Sequence, residues 1–227
     1  MILGVPCIGR PDLLLRLIGS VDEPCTVLVV DNSPDGTVSE AMGDRARCLW
    51  FPSNLGVAAS WNLVVKSYPA EPWWLIANAD TVLGPGDLAR LRSEMDRGGA
   101  RWVGMSGDWR VFGITRECVD AVGLFDENYH PIYVEDADYE RRCDIAGVPR
   151  YSVPGLASHE GSATIRDPRR AASNARTYPA NVAYHEAKWG VGVRQAGGHS
   201  SPFGRGGSVR DWTLDTARVR ALSWSEP

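Results

Sequence analysis

Trp73-Trp74-Leu75-Ile76-Ala77-Asn78-Ala79-Asp80-Thr81 is the stretch whose reading decides the fold. Its first five residues are all apolar, and a run with no polar face predicts a strand covered on both sides, as in a parallel sheet sandwiched between helices. The run stops abruptly at Asn78 and Asp80. In open α/β sheets ligands bind beyond the carboxyl ends of the strands, so Asp80 offers a hard oxygen where a phosphate-bound Mg2+ or Mn2+ can be held. A plainer reading is that Asp80-Thr81 turns the chain toward a helix announced by Gly84-Pro85-Gly86-Asp87.

The flanking segments decide between the two. Residues 1–7 read as a strand broken at Ile8-Gly9-Arg10-Pro11, and Pro11 suits the first turn of the helix that follows. Residues 25–30, Cys-Thr-Val-Leu-Val-Val, are β-branched and uncharged, and they end at Asp31 before the turn-rich Asn32-Ser33-Pro34-Asp35-Gly36-Thr37. A second strand thus ends in a carboxylate. Residues 47–51 form a shorter strand, and Asn54-Leu55-Gly56 opens a helix that runs to Lys66 and into the Trp73 run. This alternation implies right-handed crossovers and a mostly parallel, Rossmann-like sheet flanked by helices.

Farther on, a helix is expected over 88–95, two strands over 102–105 and 109–114, and a short helix over 116–121. An irregular, aromatic-rich passage precedes a charged helix over 135–146, closed by Gly147. A last strand over 150–153 leads to Ser158-His159. Residues 166–188 look helical with a break at Pro179, and the Gly-rich remainder, with one amphipathic piece over 211–220, is expected to be partly ordered or ordered only against a partner.

The 227 residues suffice for one good core. A hydrophobic fraction of 44% and a charged fraction of 23% are ordinary for a globular protein. A net charge of -4 without a basic block argues against nucleic-acid binding and against an electrostatic membrane anchor. Met1-Ile2-Leu3-Gly4-Val5 is too short for a signal-peptide core and no run reaches bilayer length, so a cytoplasmic location is expected, peripheral to the membrane if the acceptor is a lipid. The five cysteines are widely spaced and read as reduced core residues.

Taken together and in order, the motifs resemble glycosyltransferase family 2, the inverting nucleotide-sugar transferases of GT-A fold, rhamnosyltransferase-like members included. The resemblance spans about residues 1–190. Val29 to Thr37 is similar to the family's second-strand motif, and Asn54-x-Gly56 through Asn62 to its next helix. Asn78-Ala79-Asp80 stands where the family carries Asp-x-Asp, and Glu135-Asp136-Ala137-Asp138 with Arg142 is similar to its Glu-Asp-x-Asp…Arg segment. Lys188-Trp189-Gly190 is similar to the end of a C-terminal helix in some members. Pro6-Cys7-Ile8-Gly9-Arg10 departs from the usual Pro-Thr-Tyr-Asn-Arg, and Asn78 removes one charge from the metal motif.

The resemblance implies a GT-A domain over 1–165, a helix over 166–190 packed on it, and a Gly-rich tail with a short helix over 191–227, a region where a homodimer contact would fall. It implies a UDP- or dTDP-sugar donor held by Pro6, Arg10, Asp31, Asn54, Gly56, Asn62, Asn78 and Ala79. Asp31 would accept the imide N–H of the base, although an Asx-turn role in Asp-Asn-Ser-Pro is open to it, as a solvated loop position is to Arg10. Mn2+ or Mg2+ would sit on Asp80 and His159. Asp136 would be the general base, and Glu135, Asp138, Arg142 and Tyr133 would serve the acceptor or support the site. These carboxylates also suit a solvated, dipole-matched helix start. The acceptor is open among glycan, lipid-linked, protein and small-molecule hydroxyls. A nucleotide-sugar-binding protein with a degenerate, inactive metal site is the alternative. A nucleotidyltransferase would want a Gly-rich basic loop after the first strand, and Ile8-Gly9-Arg10-Pro11 is a poor one.

Overall fold

In the computed structural model, which describes residues 1–159 and 167–223, the Trp73 run is the central strand of the sheet. The chain runs β1 (Ile2–Cys7), α1 (Pro11–Gly19), β2 (Thr26–Asp31), α2 (Thr37–Met42), β3 (Arg47–Trp50), α3 (Val57–Ser67), β4 (Trp73–Ala77), β5 (Thr81–Val82), α4 (Asp87–Met95) and β6 (Trp102–Met105). It continues through β7 (Val111–Thr115), α5 (Arg116–Val122), α6 (Glu135–Ala146), β8 (Arg150–Val153), β9 (Ser158–His159), α7 (Pro168–Trp189) and α8 (Thr216–Leu222).

Among the described residues the main sheet has the strand order β3-β2-β1-β4-β7-β6-β8. Only β7 runs against its neighbours β4 and β6, so the sheet is mostly parallel. Successive residues of a strand face opposite sides, which is why these strands are apolar throughout. Leu3, Val5, Val27, Val29 and Leu75 enter one core with α1 and α4, while Ile2, Leu28, Val30, Trp74 and Ile76 enter the other with α3, α5 and α6. The second core is aromatic: Phe125 stacks on Tyr139 with centroids 4.2 Å apart, and Trp61 lies edge-on to Phe125 at 4.8 Å.

The C-terminal part departs from expectation in two ways. α7 passes through Pro179 as one helix, with Pro179 and Tyr178 on the exposed side and Thr177, Asn181, His185 and Lys188 buried at helical spacing. A proline forfeits one backbone hydrogen bond, and on a solvent-facing side water can satisfy the carbonyl it frees. The expected break is therefore absent because the packed face lies opposite. The tail, for its part, is laid against the chain's own body. Asn128 donates to the Thr213 carbonyl and accepts from the Asp215 amide, and Arg218 donates to the carbonyls of Asn128 and Ala180. Among the described residues no helix is long and apolar enough to cross a membrane.

Candidate active site

The carboxyl ends of β1, β2 and β4 open onto a cleft of about 380 Å³. The antiparallel β7 delivers its amino end to the same rim: Ala77 pairs with Val111, and the Asn78 amide donates to the Arg110 carbonyl at 2.8 Å. Asp108, Trp109 and Arg110 therefore line the cleft beside Asn78, Ala79 and Asp80. The far wall is Tyr133, Glu135 and Asp136, at the start of α6.

That wall is held by an awkward piece of backbone. Tyr133 and Val134 adopt φ of 77° and 79°, a region that side-chain-bearing residues avoid. The conformation persists because the loop is gripped from both sides. The Val57 amide donates to the Pro131 carbonyl at 2.8 Å, and Asn181 Nδ2 of α7 donates to the carbonyls of Ile132 and Tyr133, each at 3.1 Å. Gly56, at φ 84°, makes this approach feasible, since a Cβ there would lie 2.8 Å from His130 Nδ1 and 2.9 Å from the Pro131 carbonyl oxygen.

The residues expected to serve the site divide into three groups. Pro6, Arg10, Asn54, Gly56, Asn78, Ala79, Asp80, Tyr133, Glu135 and Asp136 come together around the cleft. Asp31, Asn62, Asp138 and Arg142 do not line it; they are fully buried and committed to other partners. Asp31 accepts from the Ser33 amide at 2.8 Å, from the Ser39 amide at 2.8 Å and from Ser39 Oγ at 2.7 Å, so the Asx-turn geometry open to it in the sequence is the one it adopts. Asn62 clips α3 to the loop between α5 and α6 through the Phe125 backbone and Glu127 Oε1, each bond 2.8 Å long. His159 forms the third group: its backbone pairs with Thr81 across β5 and β9, while its side chain lies outside the described residues.

Asp138 and Arg142 belong to a buried ion network behind the wall. Lys188 Nζ donates to Asp126 Oδ2 and Asp138 Oδ1, both at 2.7 Å, Trp189 Nε1 donates to Asp138 Oδ1 at 2.8 Å, and Arg142 Nε donates to Asp138 Oδ2 at 2.9 Å. Burial pushes the Asp138 carboxyl up, but the Lys188 and Arg142 cations with the Lys188 and Trp189 hydrogen bonds outweigh it and hold it at about 2. The network ties α7 to α6 at Asp138, two residues along the helix from Asp136.

Two charged side chains and one indole were not readable as site residues from the sequence. Arg194, from the Gly-rich tail, donates to Asp136 Oδ2 at 2.8 Å and approaches Glu140 Oε2 at 3.6 Å. Arg110 lines the cleft paired with Asp108. Trp61 lines the cleft from the aromatic core. For the two arginines the signal is topological, since an antiparallel strand and a folded-back tail bring them there without any local motif, whereas Trp61 lies inside the Asn54-to-Asn62 motif and was hidden by its apolar character.

A divalent cation fits the donor set in a limited way. Among the described residues no three His, Cys, Asp or Glu side chains form a metal cluster; at the rim that follows β4 the cleft carries Asp80 and, beside it, Asp108 paired with Arg110, with the His159 backbone opposite Thr81. A cation held mainly by substrate phosphates and water needs little more from the protein.

The comparisons with known proteins agree with this geometry. A family model described as glycosyl transferase family 2 matches residues 3–117. A galactofuranosyl glycosyltransferase of Leishmania donovani is 31% identical over 134 residues, 49% of this chain and 31% of that protein, so the matched span is under a third of the relative's length. Among solved structures, the mannosyltransferase PcManGT from Pyrobaculum calidifontis, in complex with GDP-Man and Mn2+, is similar with a TM-score of 0.57 and 16% identity over 79% of this chain and 62% of that one. S. aureus TarS 1-349 in complex with UDP gives 0.54 and 13% over 67% and 57%. At such identities the likeness is one of fold, and the fold is GT-A.

Proposed function

Because the chain belongs to glycosyl transferase family 2, we propose that it moves a sugar from a UDP- or dTDP-sugar to an acceptor hydroxyl by a single inverting displacement. The observation that carries this reading is the convergence of Asp80 and Asp136, from the end of β4 and the start of α6, on one cleft at the carboxyl rim of the sheet. A diphosphate on the Asp80 side and a nucleophile on the Asp136 side place the reacting carbon between them.

Asp136 takes the proton of the acceptor hydroxyl as that oxygen attacks the anomeric carbon, and the bond to the diphosphate breaks on the opposite face. Arg194 orients the Asp136 carboxylate. Arg10 and Arg110 offer guanidinium groups to the phosphate oxygens. Asp80, with His159 brought near by the β5–β9 pairing, would hold Mn2+ or Mg2+, which when bound neutralises charge on the departing diphosphate. Since both Asp31 oxygens are engaged, the base is read by the groups around Cys7, Ile8 and Asn32 that line the cleft.

A calorimetric screen of UDP-, dTDP- and GDP-sugars with and without Mn2+ tests the donor assignment, GDP-sugars being the competing class. Asp136→Asn is expected to abolish transfer while nucleotide binding stays near normal; retained turnover would refute the role given to Asp136. Asn78, which leaves Asp80 as the one carboxylate of the Asn78-Ala79-Asp80 motif, favours one other reading, a binding protein with a disabled metal site. Tight donor binding with neither transfer nor donor hydrolysis under Mn2+ would select it.

A further inference from the structure

Two buried polar atoms of residues that line the cleft stand out because nothing among the described residues satisfies them. Glu135 is 4% exposed and Trp61 3% exposed. Glu135 Oε2 and Trp61 Nε1 are both buried without a hydrogen-bond partner among the described residues, and both residues line the cleft. A buried unpaired donor or acceptor costs about 1–3 kcal/mol, so a pair of them in one cavity wall indicates groups kept for a ligand.

The surroundings determine the form of Glu135. Its side chain sits at the first position of α6, aimed by the strained Tyr133-Val134 backbone, and no cation is among its hydrogen-bonding or ion-pair partners in the described structure. Burial, reinforced by the neighbouring Asp136, pushes its carboxyl well above the ordinary carboxylate range. The other charged groups lining the cleft are Arg10, Asp80, Asp108 and Arg110, and Arg194 is spoken for by Asp136. A carboxylic acid that keeps its proton is both donor and acceptor, the complement of a hydroxyl.

Resting on the donor assignment above, we propose that Glu135 is a neutral carboxylic acid that grips a ring hydroxyl of the donor sugar, with the Trp61 indole N–H as a second contact. The choice of donor over acceptor follows from depth. Glu135 is buried whereas the Asp136 side chain beside it is 27% exposed. The substrate that binds first fills the deep wall, and the acceptor meets Asp136 at the mouth.

The proposal separates two substitutions that an ionised glutamate would not. Binding of UDP and of the best UDP- or dTDP-sugar is measured by calorimetry for wild type, Glu135→Gln and Glu135→Ala, at pH 6 to 9. An amide also donates and accepts, so Glu135→Gln is expected to keep the extra affinity that the sugar adds to the nucleotide within about threefold. Glu135→Ala is expected to lose about tenfold of it, the worth of about 1.4 kcal/mol, while bare UDP binds all three proteins alike. Wild type is expected to lose the sugar increment toward the alkaline end and Glu135→Gln to show a flat profile. If wild type binds the donor and Glu135→Gln falls as far as Glu135→Ala, or Glu135→Ala keeps the increment, the neutral acid is wrong and the donor assignment stands. If wild type binds no sugar nucleotide at all, the donor assignment fails and this proposal with it.

Discussion

Arg194 Nη2 lies 2.8 Å from Asp136 Oδ2, and the pair joins the Gly-rich tail to the helix that carries the proposed base. Both side chains are partly exposed, at 60% and 27%, so the ion pair contributes little to stability. Its effect is on direction. Arg194→Ala frees the Asp136 rotamer and is expected to lower kcat for transfer by about tenfold, since small misplacements of a reacting group are expensive in rate. Donor KM should hardly change. Steady-state kinetics on the variant, with Arg194→Lys for comparison, checks this; a raised KM at unchanged kcat would show that Arg194 binds substrate instead.

Removal of Lys188 is expected to act on folding. Lys188→Met leaves Asp126 and Asp138 buried without their common cation, a loss of about 3–5 kcal/mol that urea titration would read as a lower midpoint. Because the Asp138 carboxyl is held down to about 2, the wild-type contribution is complete above the ordinary carboxylate value and disappears as pH falls toward 2. The variant should show a weaker dependence over that range.

His130 gives a second pH window. Burial lowers it from 6.5 to about 4, so on acidification the unfolded chain takes up the proton first. Stability associated with this group is therefore complete above pH about 6.5 and declines as pH falls toward about 4, by at most about 3 kcal/mol. Thermal unfolding at pH 7 and pH 5 should show the fall, and His130→Gln should flatten that interval.

The proposed metal site carries a prediction with the opposite sense to most mutations. Asn78 stands on the rim two residues before Asp80, and Asn78→Asp adds a second carboxylate. Ligand charge count sets affinity at hard-cation sites, so the Mn2+ concentration for half-maximal transfer is expected to drop by about tenfold. A metal titration of the rate would read it, and chelation should stop transfer in both proteins.

The inner strands β1, β2 and β4 were legible because they are apolar on both faces, and the acidic residues at the ends of the β2 and β4 runs stood out against them. Depth was not legible. Asp31 and Asp80 look alike in sequence, yet three local donors bury the first while the second faces the cleft. The helix at Glu135 shows the same limit, since Glu135, Asp136 and Asp138 are neighbours in the chain but face a cavity wall, a cleft mouth and a buried lysine respectively. Arg194 could not be foreseen, because its place depends on how a segment without periodicity folds back.

The joint between Lys188 and the two aspartates also sets the smallest transplantable unit. A chimera that keeps the amino-terminal part and borrows another protein's carboxyl-terminal helix would import a foreign residue opposite Asp126 and Asp138. Recombination for new acceptor specificity should therefore exchange residues 124 to 190 as one block, with the crossovers placed outside it.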